Sequence, residues 1–172
     1  MSSSDRLRPG WRAVAALALA AGLAACGFRL RGDVSYAFDS LYVAGPPASP
    51  IVLELRRTLE GSGNTTLVAA PAEAQAILDI TNVVDDKNVL SLSGGGRVRE
   101  YLLVKRVSFN VHDKEGRDWL PAGEITIRRS YTFSESEVLA REAQEQRLLK
   151  DMQTDAVQQI MRRLQAAKKP LA

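Results

Sequence analysis

The sequence predicts an α+β fold: a four-stranded, mostly antiparallel mixed sheet covered on one face by two helices, in the order β-α-β-β-β-α. Three observations predict it. Two long segments, 101–111 and 125–133, alternate their side chains with the period of a half-buried strand. Two others, around Leu55 and across 138–164, carry apolar residues at helical spacing. Finally, 172 residues at 45% hydrophobic and 25% charged allow one globular domain with a core of its own.

The elements follow in order. Ser40-Leu41-Tyr42-Val43-Ala44 is a short apolar run that predicts the first strand, and Gly45-Pro46-Pro47 breaks it. Ser49 and Pro50 supply an N-cap and a first helical position. Val52, Leu55 and Leu59 share one helical face, Glu54, Arg56, Arg57 and Glu60 on the other suit water, and Gly61 with Gly63 ends the helix. Branched residues predict a second strand over 76–84, extended by 89–92 beyond a kink at Asp85-Asp86. Gly94-Gly95-Gly96 is a turn, flexible for want of side chains, and it leads through Arg97-Val98-Arg99 into the third strand.

There Tyr101, Leu103, Val107, Phe109 and Val111 fall on one face, with Leu102, Val104, Arg106, Ser108 and Asn110 on the other. Asp113-Lys114-Glu115-Gly116 turns the chain back. The fourth strand places Ile125, Ile127, Tyr131 and Phe133 on one face, and Thr126, Arg128, Ser130 and Thr132 on the other. Sheets with one covered face read this way. Ser134 with Glu137 fits a capping box opening the last helix. Its apolar stripe runs through Val138, Leu149, Met152, Ala156, Ile160 and Leu164. Roughly thirty helical residues span about 45 Å. Lys168-Lys169-Pro170 ends it, with basic residues at the negative helix end.

The N-terminus reads differently. Arg6, Arg8 and Arg12 precede an apolar run of eleven residues, 13–23, and Leu23-Ala24-Ala25-Cys26 closes the segment. Eleven residues of helix cover about 16 Å, half of what a bilayer core requires. The segment is therefore expected to be a cleavable signal peptide over 1–25, followed by a single domain over 26–172. Without Arg6, Arg8, Arg12 and Asp5, the 23 basic and 20 acidic residues fall to 20 and 19, so the high pI is largely the leader's. Nucleic acid is not indicated as a partner. Cys26 is the only cysteine, which excludes an intramolecular disulfide. Leu-Ala-Ala-Cys resembles a lipobox, at which bacteria acylate the thiol and cut before it. Several acyl chains make such a tether long-lived. Gly27, rather than an aspartate, then favours the outer membrane.

No catalytic set is visible. His112 is the only histidine, beside a turn and without a motif around it. Neither a metal site nor a cofactor is expected, since the carboxylates are scattered and the glycine turn lacks the Lys-Ser/Thr of a phosphate loop. The basic residues say more. With a turn centred on 114–116, Lys105 and Arg106 should lie near Arg128 and Arg129, and like charges across strands destabilise a sheet. Exposed arginines tolerate this; a bound anion such as phosphate would reward it. Arg97, Arg99 and Arg141 are candidates for the same anion-facing surface.

Several segments together resemble the LptE family of lipopolysaccharide-assembly lipoproteins. They are Cys26-Gly27-Phe28-Arg29-Leu30-Arg31, Glu100-Tyr101 at the head of a strand, and Arg129-Ser130-Tyr131-Thr132-Phe133 followed by Val138-Leu139-Ala140-Arg141-Glu142. The amphipathic run ending Ile160-Met161-Arg162-Arg163-Leu164 is the last. The resemblance implies a non-enzymatic, lipid-anchored protein of the outer membrane that plugs the barrel LptD and helps it assemble. Together they would deliver lipopolysaccharide to the outer leaflet. It also implies that Arg141 contacts lipopolysaccharide, while the family's second basic contact falls near Arg97, displaced by a few positions. An accessory of another envelope machine, such as barrel assembly, and a lipid-tethered hydrolase using His112 are the alternatives.

Overall fold

The computed structural model describes residues 35–132 and 138–170, with the side chains of 138–141 excepted. The leader, Cys26, Phe133 and the Ser134–Glu137 capping box lie outside those residues. Strands β1 (Ser40–Ala44), β2 (Thr66–Leu67), β3 (Ala76–Leu92), β4 (Val98–His112) and β5 (Asp118–Thr132) form one sheet in the order β2-β1-β3-β4-β5. Helix α1 (Pro50–Ser62) follows β1, and α2 (Val138–Ala166) follows β5. The first three strands in space run parallel, while β3, β4 and β5 form an antiparallel meander.

Two expectations need correction. The sheet has five strands rather than four, giving the order β-α-β-β-β-β-α. The extra strand is Thr66–Leu67, held to β1 by Thr66 N–H to Asp39 O (2.9 Å) and Val68 N–H to Leu41 O (3.1 Å). Two residues are too few to leave an alternation pattern. The second correction concerns Asp85-Asp86, which is no kink: β3 continues through both for 17 residues.

One core unites the layers. Leu41 and Val43 of β1, Leu78 and Ile80 of β3, Leu103, Val107, Phe109 and Val111 of β4, and Ile125, Ile127 and Tyr131 of β5 are all buried in it. The helices contribute Val52, Leu55 and Leu59 from α1, and Met152, Ala156, Ile160 and Leu164 from α2. Pro50 opens α1, and Gly63 closes it at φ 67°, a left-handed conformation that glycine adopts without strain. Glu54 and Arg56 are not simply solvated. Arg56 donates to Val43 O (2.8 Å), and Glu54 accepts from Gln153 (2.6 Å) and Thr154 (2.8 Å) of α2, tying the helices together. At Gly45 a Cβ would stand 3.0 Å from Val52 Cγ2, so the exit of β1 admits nothing larger.

The β4–β5 turn forms where expected. The Asp113 carboxylate accepts from the amides of Glu115 (3.0 Å) and Arg117 (2.8 Å) and from Arg117 Nε (2.7 Å). Burial alone raises this carboxyl, but the amide and guanidinium of Arg117 outweigh it and hold it below the ordinary range. Because the folded value is the lower one, its stabilising effect is full above the unfolded value and fades as pH falls through the folded one. Asp113→Asn should therefore lower the melting temperature at neutral pH, with parent and variant converging in strong acid. Melting curves across that range check this; a gap independent of pH would refute it.

Candidate functional site

The meander extends past the core as a long arm. Counting residues at about 3.3 Å each, β4 is some 50 Å long, and Tyr36 and Phe38 enter at the end of the sheet opposite its glycine turn. That turn is closed by Ser93 N–H to Arg97 O (2.7 Å) and Gly96 N–H to Ser93 O (2.9 Å). Arg97 and Arg99 are exposed beside it. Arg141 lies in the N-terminal stretch of α2, at a position whose side chain is not among the described ones. Contacts from Asp155 to Arg129 and from Glu145 to Tyr131 show the direction of α2 along β5, which carries its N-terminal stretch toward the same end.

The four cations of the third and fourth strands do not form one cluster. Registration puts Lys105 opposite Ile127 and Arg128 opposite Val104, so Lys105 and Arg129 share the helix-covered face while Arg106 and Arg128 share the open one. Lys105 is 3% exposed and pairs with Asp85 directly across β3, at 2.6 Å. Arg106 pairs with Asp86 on the open face, and Arg129 reaches Asp155 of α2 at 3.2 Å. Like charges thus avoid each other because each of these three has its own carboxylate.

A further group escaped the sequence reading. Lys87 and the Tyr131 hydroxyl both donate to the Glu145 carboxylate, and the Lys87 ammonium lies 4.5 Å from the centroid of the Tyr101 ring, which stacks on Tyr131. The hydrogen bond to Glu145 raises Lys87, and burial followed by the Glu145 contact raises the Tyr131 phenol, so neither titrates near neutrality. This clasp fastens the outer half of α2, where Met152 is the first fully buried side chain among the described ones. The clasp left no signal in the sequence, but the Lys105–Asp85 pair did. Counting ten residues either way from Gly95 reaches Asp85 and Lys105, which pair.

His112 sits with Nδ1 2.7 Å from Asp113 O, and the cleft beside that turn, lined by Asp113, Trp119 and Lys169 among others, does not include it. Among the described residues no group of three or more His, Cys, Asp or Glu could hold a metal, and no helix is long and apolar enough to cross a membrane.

The family model for LptE, described as lipopolysaccharide-assembly, matches residues 38–164, from β1's approach to the last buried turn of α2. The chain belongs to the LptE family. The "LPS-assembly lipoprotein LptE" of Yersinia enterocolitica is 30% identical over 145 residues, covering 82% of this chain and 69% of that protein. The solution structure of lipoprotein B from Nitrosomonas europaea is 36% identical with a TM-score of 0.72, covering 81% of this chain and 91% of that one. Rare lipoprotein B of Shewanella oneidensis, at 24% identity and a TM-score of 0.65 over 74% of this chain and 94% of that one, shares the fold. The relatives are lipoproteins, and the LptE-family sheet with its two helices is the architecture described above.

For this LptE-family arm the buried Lys105 gives a sharp test. Asp85→Asn leaves an ammonium under α2 without a counter-charge and should cost about 1–3 kcal/mol, less than a fully buried pair because Asp85 itself is half exposed. Lys105→Met removes the buried charge along with the pair and should stay within about 1 kcal/mol of the parent. Urea unfolding of both variants decides; equal losses would contradict the assignment of Lys105 as the partner that burial penalises.

Proposed function

We propose that this chain is an outer-membrane lipoprotein that works with an LptD-like β-barrel to assemble lipopolysaccharide in the outer leaflet. It catalyses no reaction: it occupies the barrel lumen, presents cations to lipid phosphates and helps the barrel fold. The observation that carries this reading is the LptE match across 38–164, which takes in every strand of the sheet. The lipopolysaccharide-assembly name of the Yersinia enterocolitica relative supports it.

Cys26, acylated, would hold the domain at the membrane. The arm's glycine-turn end carries Arg97 and Arg99, with the Arg141 stretch running toward it. The first described residues and the glycine turn thus lie at opposite ends of the sheet, which suits a protein tethered through its N-terminus and reaching into a barrel. Of the other candidates, Lys105, Arg106 and Arg129 are engaged with carboxylates of the domain itself, and Arg128 stands exposed on the open face. The primary phosphate contacts are assigned to Arg97, Arg99 and Arg141 by place: the first two flank the glycine turn, and the stretch holding the third runs toward it. A charge-assisted contact suits phosphate oxygens, and arginine offers two parallel donors.

Purification from outer membranes in mild detergent, with the bound proteins identified by mass spectrometry, tests the partner. A lipopolysaccharide-transport barrel is expected; recovery of the barrel-assembly complex instead would favour that other machine. Arg141→Glu should weaken lipopolysaccharide binding roughly tenfold, the size of one charge-assisted hydrogen bond, without changing the melting temperature. Unaltered affinity would remove Arg141 from the site. Cys26→Ser should move the protein from the membrane pellet to the soluble fraction when the barrel is absent, and a variant that still sediments would show that no acyl chain is needed.

A further inference from the structure

Four large apolar side chains stand well exposed among the described residues: Leu53 at 45%, Val89 at 52%, Leu90 at 49% and Leu92 at 57%. Scattered, such residues are ordinary, but three of these fall within four positions of β3, at the far end of the arm. The pairing there is irregular. Val89 lies opposite Tyr101, Ser91 opposite Glu100 and Leu92 opposite Val98, so Leu90 is an extra residue in β3 and Arg99 an extra one in β4. Such paired offsets shift the register and restore it, and bulges of this kind re-aim the side chains they carry. The two strands also divide by chemistry. The β3 side of the hairpin end is apolar, whereas the β4 side places Arg97 and Arg99 on either flank of Val98.

A partner matching that division has hydrocarbon and phosphate side by side. We propose that this hairpin end is an amphiphile site, in which Val89, Leu90 and Leu92 receive acyl chains of lipopolysaccharide while Arg99 meets an adjoining phosphate. The inference rests on the lipopolysaccharide reading and extends it from the phosphates to the hydrocarbon. Cations alone would screen repulsion between lipid headgroups but leave each chain to its neighbours. Apolar surface is what replaces those neighbours when a molecule leaves an aggregate, since burial of hydrocarbon is the dominant favourable term.

The test uses the mature lipoprotein captured on a surface, titrated with acylated lipopolysaccharide and with the same lipopolysaccharide stripped of its acyl chains. Burying the exposed halves of two leucines is worth about tenfold in affinity. Leu90→Ser/Leu92→Ser should therefore lose about tenfold toward the acylated form and nothing toward the stripped form, while Leu90→Met/Leu92→Met keeps both. Arg99→Glu should weaken both forms. Leu53→Ser, which removes the remaining exposed leucine from α1, should change neither, and circular dichroism should be the same for all four variants.

An unchanged affinity of the double serine variant, in a parent that binds both forms, overturns the acyl site while leaving the lipopolysaccharide reading standing. A parent that binds neither form overturns both. If the double variant instead loses only its copurifying barrel, the apolar end belongs to that protein contact and the proposal fails. Equal loss toward vesicles of anionic phospholipid would likewise overturn it, because the site would then be a general membrane contact.

Discussion

Between Ile80 and Asn82 the β3 strand carries one residue more than β4 opposite it, and that offset decides which side chains of the outer sheet lie beneath α2. Inward of it, Ala76, Leu78 and Ile80 supply the covered face; outward, Val83, Asp85 and Lys87 do. Along β4 the covered set keeps its parity throughout, from Val111 through Lys105 to Tyr101. Had β3 run on without the extra residue, Asp85 would face away from the helix and Lys105 would be buried without its counter-charge. The ion pair, the clasp on Glu145 and the seat of α2's outer half all depend on this one irregularity.

The molecule is accordingly built in two regimes. Its inner half is a core of close-packed aliphatic and aromatic side chains, where α1 and the second half of α2 bury every apolar position of their stripes. In the outer half the fewer apolar contacts of Leu103, Ile127 and Tyr131 are supplemented by the ion pairs Lys105–Asp85, Lys87–Glu145 and Arg129–Asp155. Contacts of that kind fix geometry and contribute less to stability than hydrocarbon burial does. Opening of a protein begins where apolar contacts are fewest, so the outer arm is the part free to adjust while the inner half keeps the fold.

That division also explains what could be read from the sequence. Helix α1, the glycine turn, the two long alternating strands and the stripe of α2 are periodic and local, and their faces were legible from Leu55, Phe109, Ile125 and Ile160. The two-residue β2 left no period to detect. Asp85-Asp86 misled because two adjacent acids in a strand look like a break, until their partners are known. They point to opposite faces and meet Lys105 and Arg106, two adjacent bases in the neighbouring strand. The basic cluster misled for the matching reason: the count across the β4–β5 turn did not separate the two faces of the sheet, and it overlooked the acids on β3. Tyr131 and Lys87 converge on Glu145 only through tertiary packing, and no spacing announces it.

The open face of the sheet carries the last consequence. Among the described residues no helix lies on it, yet Val104 is only 7% exposed and Ile77 only 8%. Beside Val104 stand Arg106 and Asp86, whose charges already cancel across the strands. A surface that enters a polar barrel lumen must give up water from every charge it brings, and an unpaired charge makes that transfer costly. Here Arg106 and Asp86 are matched before any partner arrives, while Arg128 stands exposed on the same face. Arg97 and Arg99 lie at the hairpin end, where the arm would meet the proposed anionic ligand. The pairing that lets the sheet carry Lys105, Arg106 and Arg129 on neighbouring strands would, in the proposed role, lower the cost of bringing its flank against a protein wall.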